Sequence, residues 1–128
     1  MWTYEIRTGR MFKDGSIVVT GIGWAGQGAG KNNPDMQSAH GIGPLPCGLY
    51  KIQEPHDSPR TGPYTMNLVP DPANQMYGRG DFRIHGAAFE HPELSSEGCI
   101  IQAKTVRVEV WESNDHDLKV VVDYVRPS

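Results

Sequence analysis

No window of this sequence comes near the roughly 18 consecutive apolar residues that a membrane-spanning helix needs, so no helical span is expected within it. Basic runs are missing too, and aromatic residues are not interleaved with lysine or arginine. Nucleic acid is therefore not an expected partner. Acidic and basic residues mix along the chain, for a formal net charge of −3. Cysteine is scarce: Cys47 and Cys99 allow at most one internal disulfide, which is not the framework of a small secreted scaffold. The glycine-rich stretch from Gly21 to Gly41 lacks the spacing of a phosphate-binding loop, because Asn32 rather than Ser or Thr follows Lys31. Met1 to Arg10 carry no apolar core of a signal peptide, so synthesis in the cytoplasm without a leader is expected.

Glycine and proline, by contrast, are plentiful, at 15 and 10 of 128 residues, which implies many turns between short elements. One domain spanning 1–128 is expected, large enough to bury a real core. The fold class is mainly β. Trp2, Tyr4 and Ile6 alternate with polar residues and predict a first strand. Met11 to Lys13 predict a second, Asp14-Gly15 a hairpin turn, and Ser16 to Thr20 a third strand. Gly21 to Gly41 read as a mobile loop that flanks an active-site cleft, with His40 solvated or lining that cleft and Trp24 either plugging the core or covering a ligand. Strands follow at Gly48 to Gln53, Pro63 to Val69 and Asp81 to His85, with Pro-rich or Gly-rich loops between them. After Cys99 the pattern is ambiguous. Val106, Val108 and Val110 alternate as in a strand, whereas Ala103, Val106, Val110 and Trp111 form a helical stripe. Leu118 to Val125, strongly β-branched, predict a closing strand.

The chemistry concentrates between Phe82 and Ile101. His85 precedes Gly86, and fourteen positions later Cys99 follows Gly98. A thiol attacks as thiolate, and an adjacent imidazole lowers its pKa and accepts its proton, so Cys99 and His85 read as nucleophile and base. The strand before His85 would hold the imidazole rigidly. Gly98 allows a tight turn, and the N–H groups of Gly98 and Cys99 could form an oxyanion hole. His91 is a second imidazole, but it falls on a connection rather than after a strand. A lone Cys and a lone His are also common as structural residues.

The run His85-Gly86, then Ser96-Glu97-Gly98-Cys99-Ile100, resembles the catalytic motif of the YkuD-like L,D-transpeptidases. Gly43-Pro44-Leu45-Pro46-Cys47-Gly48-Leu49-Tyr50-Lys51-Ile52 looks like the strand entry upstream of that motif. The likeness covers roughly residues 4 to 125 and is closer still to a compact branch of L,D-transpeptidase-like effectors of type VI secretion. It implies a YkuD-like β-sandwich or open barrel with one short helix after the Cys, over Ala103 to Glu112. It implies cysteine L,D-carboxypeptidase and transpeptidase action on peptidoglycan stem tetrapeptides, no cofactor or metal, and a monomer met by a cognate immunity protein. It also implies delivery by secretion or injection to the periplasm of a target cell. By the same resemblance Gly86 supplies the carbonyl that orients His85, with Ser96 as a side-chain helper, and Tyr50 points near the site; from its residue type alone Tyr50 reads equally as a core aromatic with its hydroxyl satisfied. Arg83 and Trp24 are further candidates for contact with substrate. The sequence departs from the wider superfamily in having only ten residues between His85 and Ser96, Glu97 before the glycine, and Ile101 where an arginine commonly stands. Arg83 or Arg79 is then the substitute for holding a carboxylate.

Two rival readings stand beside this one. His85, His91 and Cys99 are residue types that bind zinc, though their spacing matches no common signature. The other is a cell-wall-binding or phage structural β-module with an inert Cys99.

Overall fold

A computed structural model describes residues 1–14, 16–17, 23–88 and 96–125. The last three residues of the expected third strand, and His91, lie outside these. Ten strands join in one open, curved sheet that nearly closes on itself, in the order β3-β2-β1-β10-β5-β7-β8-β9-β4, with β6 paired to β7. The mainly β class and the single helix are as expected.

β1 (Trp2–Glu5) forms where the alternation predicts it, and Trp2, Tyr4 and Ile6 are almost wholly buried. It pairs antiparallel with β2 (Arg10–Lys13), which turns into β3 (Ser16–Ile17). Lys13 faces Ser16 across the two-residue Asp14-Gly15 turn, and Asp14 takes φ +48, the left-handed conformation such a turn demands. On its other edge β1 runs parallel to β10 (Asp117–Val121), which pairs antiparallel with β5 (Gly48–Ile52). β7 (Gly62–Pro70) links β5 to β8 (Arg83–His85), and β6 (His56–Ser58) folds back on β7 as a hairpin. The Pro-rich connection between the strands at Gly48 and Pro63, expected to be a loop, thus contains a strand, with His56 exposed. Leu45, Met66, Ile84, Ile100, Leu118 and Val120 complete the core between these strands and the helix.

Gly21 to Gly41 is not one loop. β4 (Trp24–Ala25) joins the sheet beside β9 (Ile100–Ile101), and two 3₁₀ turns follow at Gly28–Gly30 and Pro34–Met36. Polar side chains replace ladder bonds here: Asn32 Oδ1 accepts from the Ala25 N–H, and Asn33 caps the second turn by accepting from the Asp35 N–H. Composition alone hid this order, because the backbone is satisfied by single side chains rather than by a periodic pattern.

The ambiguous segment is helical. α1 (Lys104–Glu112) buries Val106, Arg107 and Val110 and lies against β7 and β8. A strand would have buried Val106, Val108 and Val110 alike; the helix buries the i, i+4 pair and leaves Val108 half-exposed. Asn114, at φ +61, ends it in a left-handed residue, the usual helix stop. β8 and β9 are parallel, and a parallel pair needs a crossover rather than a tight turn. The β8–β9 register also sets where Cys99 falls relative to His85.

Candidate active site

In β8 the alternation sends Ile84 into the core and sets Arg83 and His85 on the other face. The parallel register matches Ile84 with Ile100 and His85 with Ile101. Cys99, one step before Ile100, therefore falls opposite Arg83 and on the same face as His85. Same-face residues two positions apart across a strand pair have Cα atoms about 7–8 Å apart, within reach for a thiol and an imidazole. Both line one cleft of about 840 Å³. Its walls are the Pro59–Pro63 end of the β6–β7 hairpin on one side and His40, Gly41 and Gly78–Asp81 on the other. Of the two readings of His40, solvated or lining the cleft, the second holds: it lines the cleft with Gly41, its Nε2 2.9 Å from the Tyr77 carbonyl oxygen.

The imidazole is oriented by its neighbour. His85 Nδ1–H donates to the Gly86 carbonyl at 2.8 Å, which leaves Nε2 as the basic nitrogen. His85 is buried, and burial pushes its pKa below the usual value, with Arg107, Arg83 and Arg60 adding to the depression. Burial likewise pushes the Cys99 thiol up, against the Arg83 N–H and charge that favour the thiolate. Its Sγ also lies 3.8 Å from the Asp81 carbonyl oxygen. Burial thus works against the expected acidification of the thiol by the imidazole, because desolvation disfavours the charged form of each group.

The His85 shift carries a stability consequence. Its folded pKa lies below the unfolded value of about 6.5, so the unfolded chain binds the proton more readily. The His85 contribution is fully present above about pH 6.5 and is lost as pH falls toward and through the folded pKa. Urea unfolding between pH 7.5 and 5 is expected to show a fall in stability that is smaller in His85→Gln; an equal fall in both proteins would refute the assignment.

The nucleophile turn is held by Ser96 and Arg79. Ser96 is fully buried, and its Oγ accepts from the Gly26 and Gly98 N–H groups and donates to the Cys99 carbonyl at 2.6 Å. Ser96 therefore shapes the turn and does not touch the imidazole. The same bonds correct the expected oxyanion hole: the Gly98 N–H already donates to Ser96 at 3.1 Å. The Cys99 N–H has no acceptor among the described residues and remains available. Gly98 has to be glycine, since at φ +129 a Cβ would lie 2.5 Å from Arg79 Nη2 and 2.8 Å from Phe82 Cε1.

Arg79 is not a carboxylate receptor. Its guanidinium is buried and donates to four backbone carbonyls, those of Gln37, Pro44, Gly43 and Glu97. Nothing in the Gly78-Arg79-Gly80 sequence distinguishes such a clamp from a solvated arginine. Arg83 does line the cleft, with Nη2 3.1 Å from Asp81 Oδ1, and Arg60 approaches the same carboxylate at 3.9 Å from the opposite wall. Tyr50 and Trp24 are not at the cleft. The Tyr50 hydroxyl is buried and donates to the Pro46 carbonyl at 2.6 Å, because β5 turns this face into the core. Trp24 pairs with Ile101 in β4, on the far edge of β9, under the Lys31 ammonium.

Cys47 and Cys99 are both free thiols, and burial raises the Cys47 pKa as well. Among the described residues no three His, Cys, Asp or Glu side chains converge as a metal site requires. No helix among them is long and apolar enough to cross a membrane.

With this geometry in place, comparison with known proteins is informative. The sequence profile of the Tlde1 domain matches residues 20–124, most of the chain. The chain belongs to the Tlde1 domain family. The match takes in the His85 strand, the Cys99 turn and α1 together, and sets the protein among type VI secretion effectors. No curated protein and no solved structure matches the chain.

Proposed function

We propose that this Tlde1-domain protein is a cysteine L,D-carboxypeptidase and L,D-transpeptidase that acts on peptidoglycan stem tetrapeptides as an antibacterial toxin. The observation that supports the reading is that Cys99 and a buried, carbonyl-oriented His85 line the same cleft. Substrate binding brings the scissile carbonyl to Sγ, and His85 Nε2 takes the thiol proton as the S–C bond forms. The Cys99 N–H is one donor to the tetrahedral oxyanion. Collapse breaks the C–N bond to the terminal D-Ala, whose amine leaves with the proton from His85, and a thioester remains. Water, deprotonated by His85, completes carboxypeptidase action; an amine in its place completes transpeptidation. Arg83 holds the terminal carboxylate of the substrate, with the Arg60 charge facing it across the cleft. The protein acts in the periplasm of a target cell after injection, and the producing cell is protected by a cognate immunity protein.

The test is incubation of purified protein with tetrapeptide muropeptides. D-Ala release, or exchange with an added D-amino acid, is expected from wild type and is expected to vanish in Cys99→Ala. Muropeptide binding without turnover by wild type would instead leave a cell-wall-binding module.

A further inference from the structure

We propose that Arg107, on α1, is a positioning residue for the base: its guanidinium braces the His85–Gly86 corner and the facing wall of the cleft from a single point. The inference rests on the Cys99–His85 reading and adds a residue that the helix alone delivers. Arg107 is 6% exposed, although arginine seldom buries without a carboxylate. It is satisfied by backbone instead. Nε donates to the Gln102 carbonyl at 3.0 Å, and Nη1 donates to the carbonyls of Pro63 and Tyr64 at 2.7 and 3.0 Å.

Each of these contacts leads back to the site. The Gln102 N–H donates to the His85 carbonyl at 3.0 Å, so the first bond anchors the base strand. Pro63 lines the cleft, and Tyr64, beside it, holds φ +55 within β7, a conformation unusual for an aromatic residue and one that needs support. The guanidinium binds the carbonyls of both. Its Nη2 lies against the open face of Gly86, where a Cβ would stand only 2.8 Å away. Gly86 is the residue whose carbonyl sets the imidazole orientation. Moving the guanidinium therefore moves the acceptor that aims His85. A lysine cannot reproduce this, since one ammonium lacks the planar fork that reaches divergent carbonyls.

The fixed charge has a second effect. A buried cation beside the imidazole disfavours its protonation, and the base must be neutral to accept the thiol proton. Among the described residues, the charged groups that also bear on the pair include Arg83 from β8, Arg60 from the β6–β7 hairpin, and Asp81 and Arg79 on the Cys99 side; the Tyr64 phenol faces Arg107.

The experiment compares Arg107→Lys and Arg107→Met with wild type by two readouts. One is an NMR titration of His85 in the substrate-free protein; the other is kcat and KM for D-Ala release. Arg107→Lys is expected to keep the depressed titration but lose about 100-fold in kcat with KM nearly unchanged, the scale of a small misplacement of a catalytic group. Arg107→Met is expected to lose as much in kcat and to move the His85 titration up toward 6.5. Folded variants with wild-type titration and kcat would overturn the proposal. If both fail to fold, Gly86→Ala displaces the guanidinium from the other side. It is expected to reproduce the kcat loss and a shifted titration, and wild-type values there would overturn it equally. If wild type itself shows no turnover, the proposed function fails, and with it the catalytic part of this proposal; the titration in Arg107→Met, which needs no substrate, still tests whether the Arg107 charge acts on His85.

Discussion

Replacing His85 with alanine is expected to lower kcat/KM for D-Ala release by about 10²–10⁴-fold, the range a positioned general base contributes. The same change is expected to leave iodoacetamide alkylation of Cys99 near pH 7 almost unaltered. The two outcomes differ because of the resting protonation state. An imidazolium–thiolate pair would make the free thiol reactive at low pH and would make that reactivity depend on His85. Here burial raises the thiol and lowers the imidazole, so the charged form of each is disfavoured before substrate arrives. In wild type, alkylation is therefore expected to climb only above about pH 8.5, the range of an ordinary cysteine or higher. Turnover near neutrality would draw on proton transfer during attack. A hundredfold slower alkylation of His85→Ala at pH 6–7 would show a preformed ion pair and would overturn this account.

The second large effect is expected at Arg79. Arg79→Met keeps the bulk of the side chain but removes the donors to the carbonyls of Gln37, Pro44, Gly43 and Glu97. Bonds from a charged donor contribute about 1.5–3 kcal/mol each, and a buried carbonyl left alone costs about 1–3 kcal/mol. These terms overlap, and water reaches part of the site, so a net loss of about 3–4 kcal/mol is expected in denaturant unfolding. Activity is expected to fall as well, because Arg79 ties the Glu97–Gly98 peptide to the segment from Gln37 to Pro44 and so fixes the approach to Cys99. The contrast is Arg83→Met, expected to leave stability within about 0.5 kcal/mol and to raise KM if Arg83 meets a carboxylate. Arg79→Met with wild-type stability would show that the carbonyl cluster is solvated rather than clamped.

Much of the scaffold was legible because short-range patterns encode it. Alternation placed β1, β5 and β7, and the Asp14-Gly15 pair placed the first hairpin. Where one pattern served two periods, as at Val106 to Val110, residues alone left strand and helix open. Packing against β7 and β8 decided it: Val106 and Val110 are buried while Val108 is half-exposed, which is the helical period and not the strand's. β4 and the turns after it escaped the pattern altogether, since two-residue strands and Asn-capped turns have no periodicity. The arginines showed the same limit. Arg79, Arg83 and Arg107 look alike in sequence, and the first two were exchangeable as carboxylate receptors; all three line the cleft, and only their surroundings make Arg79 and Arg107 backbone clamps while Arg83 faces the Asp81 carboxylate.

The sequence by itself determined the mainly β fold and singled out His85 and Cys99 as the candidate chemical centre, from residue types at fixed spacings and from alternation; the orienting role of the Gly86 carbonyl came from the resemblance to the L,D-transpeptidases. Tertiary structure alone decided which N–H groups remain for an oxyanion, which side chains line the cleft, and the protonation state of the pair. Those depend on what long-range contacts bury: Ser96 takes the Gly98 N–H, β5 turns Tyr50 inward, and desolvation disfavours the charged form of both thiol and imidazole.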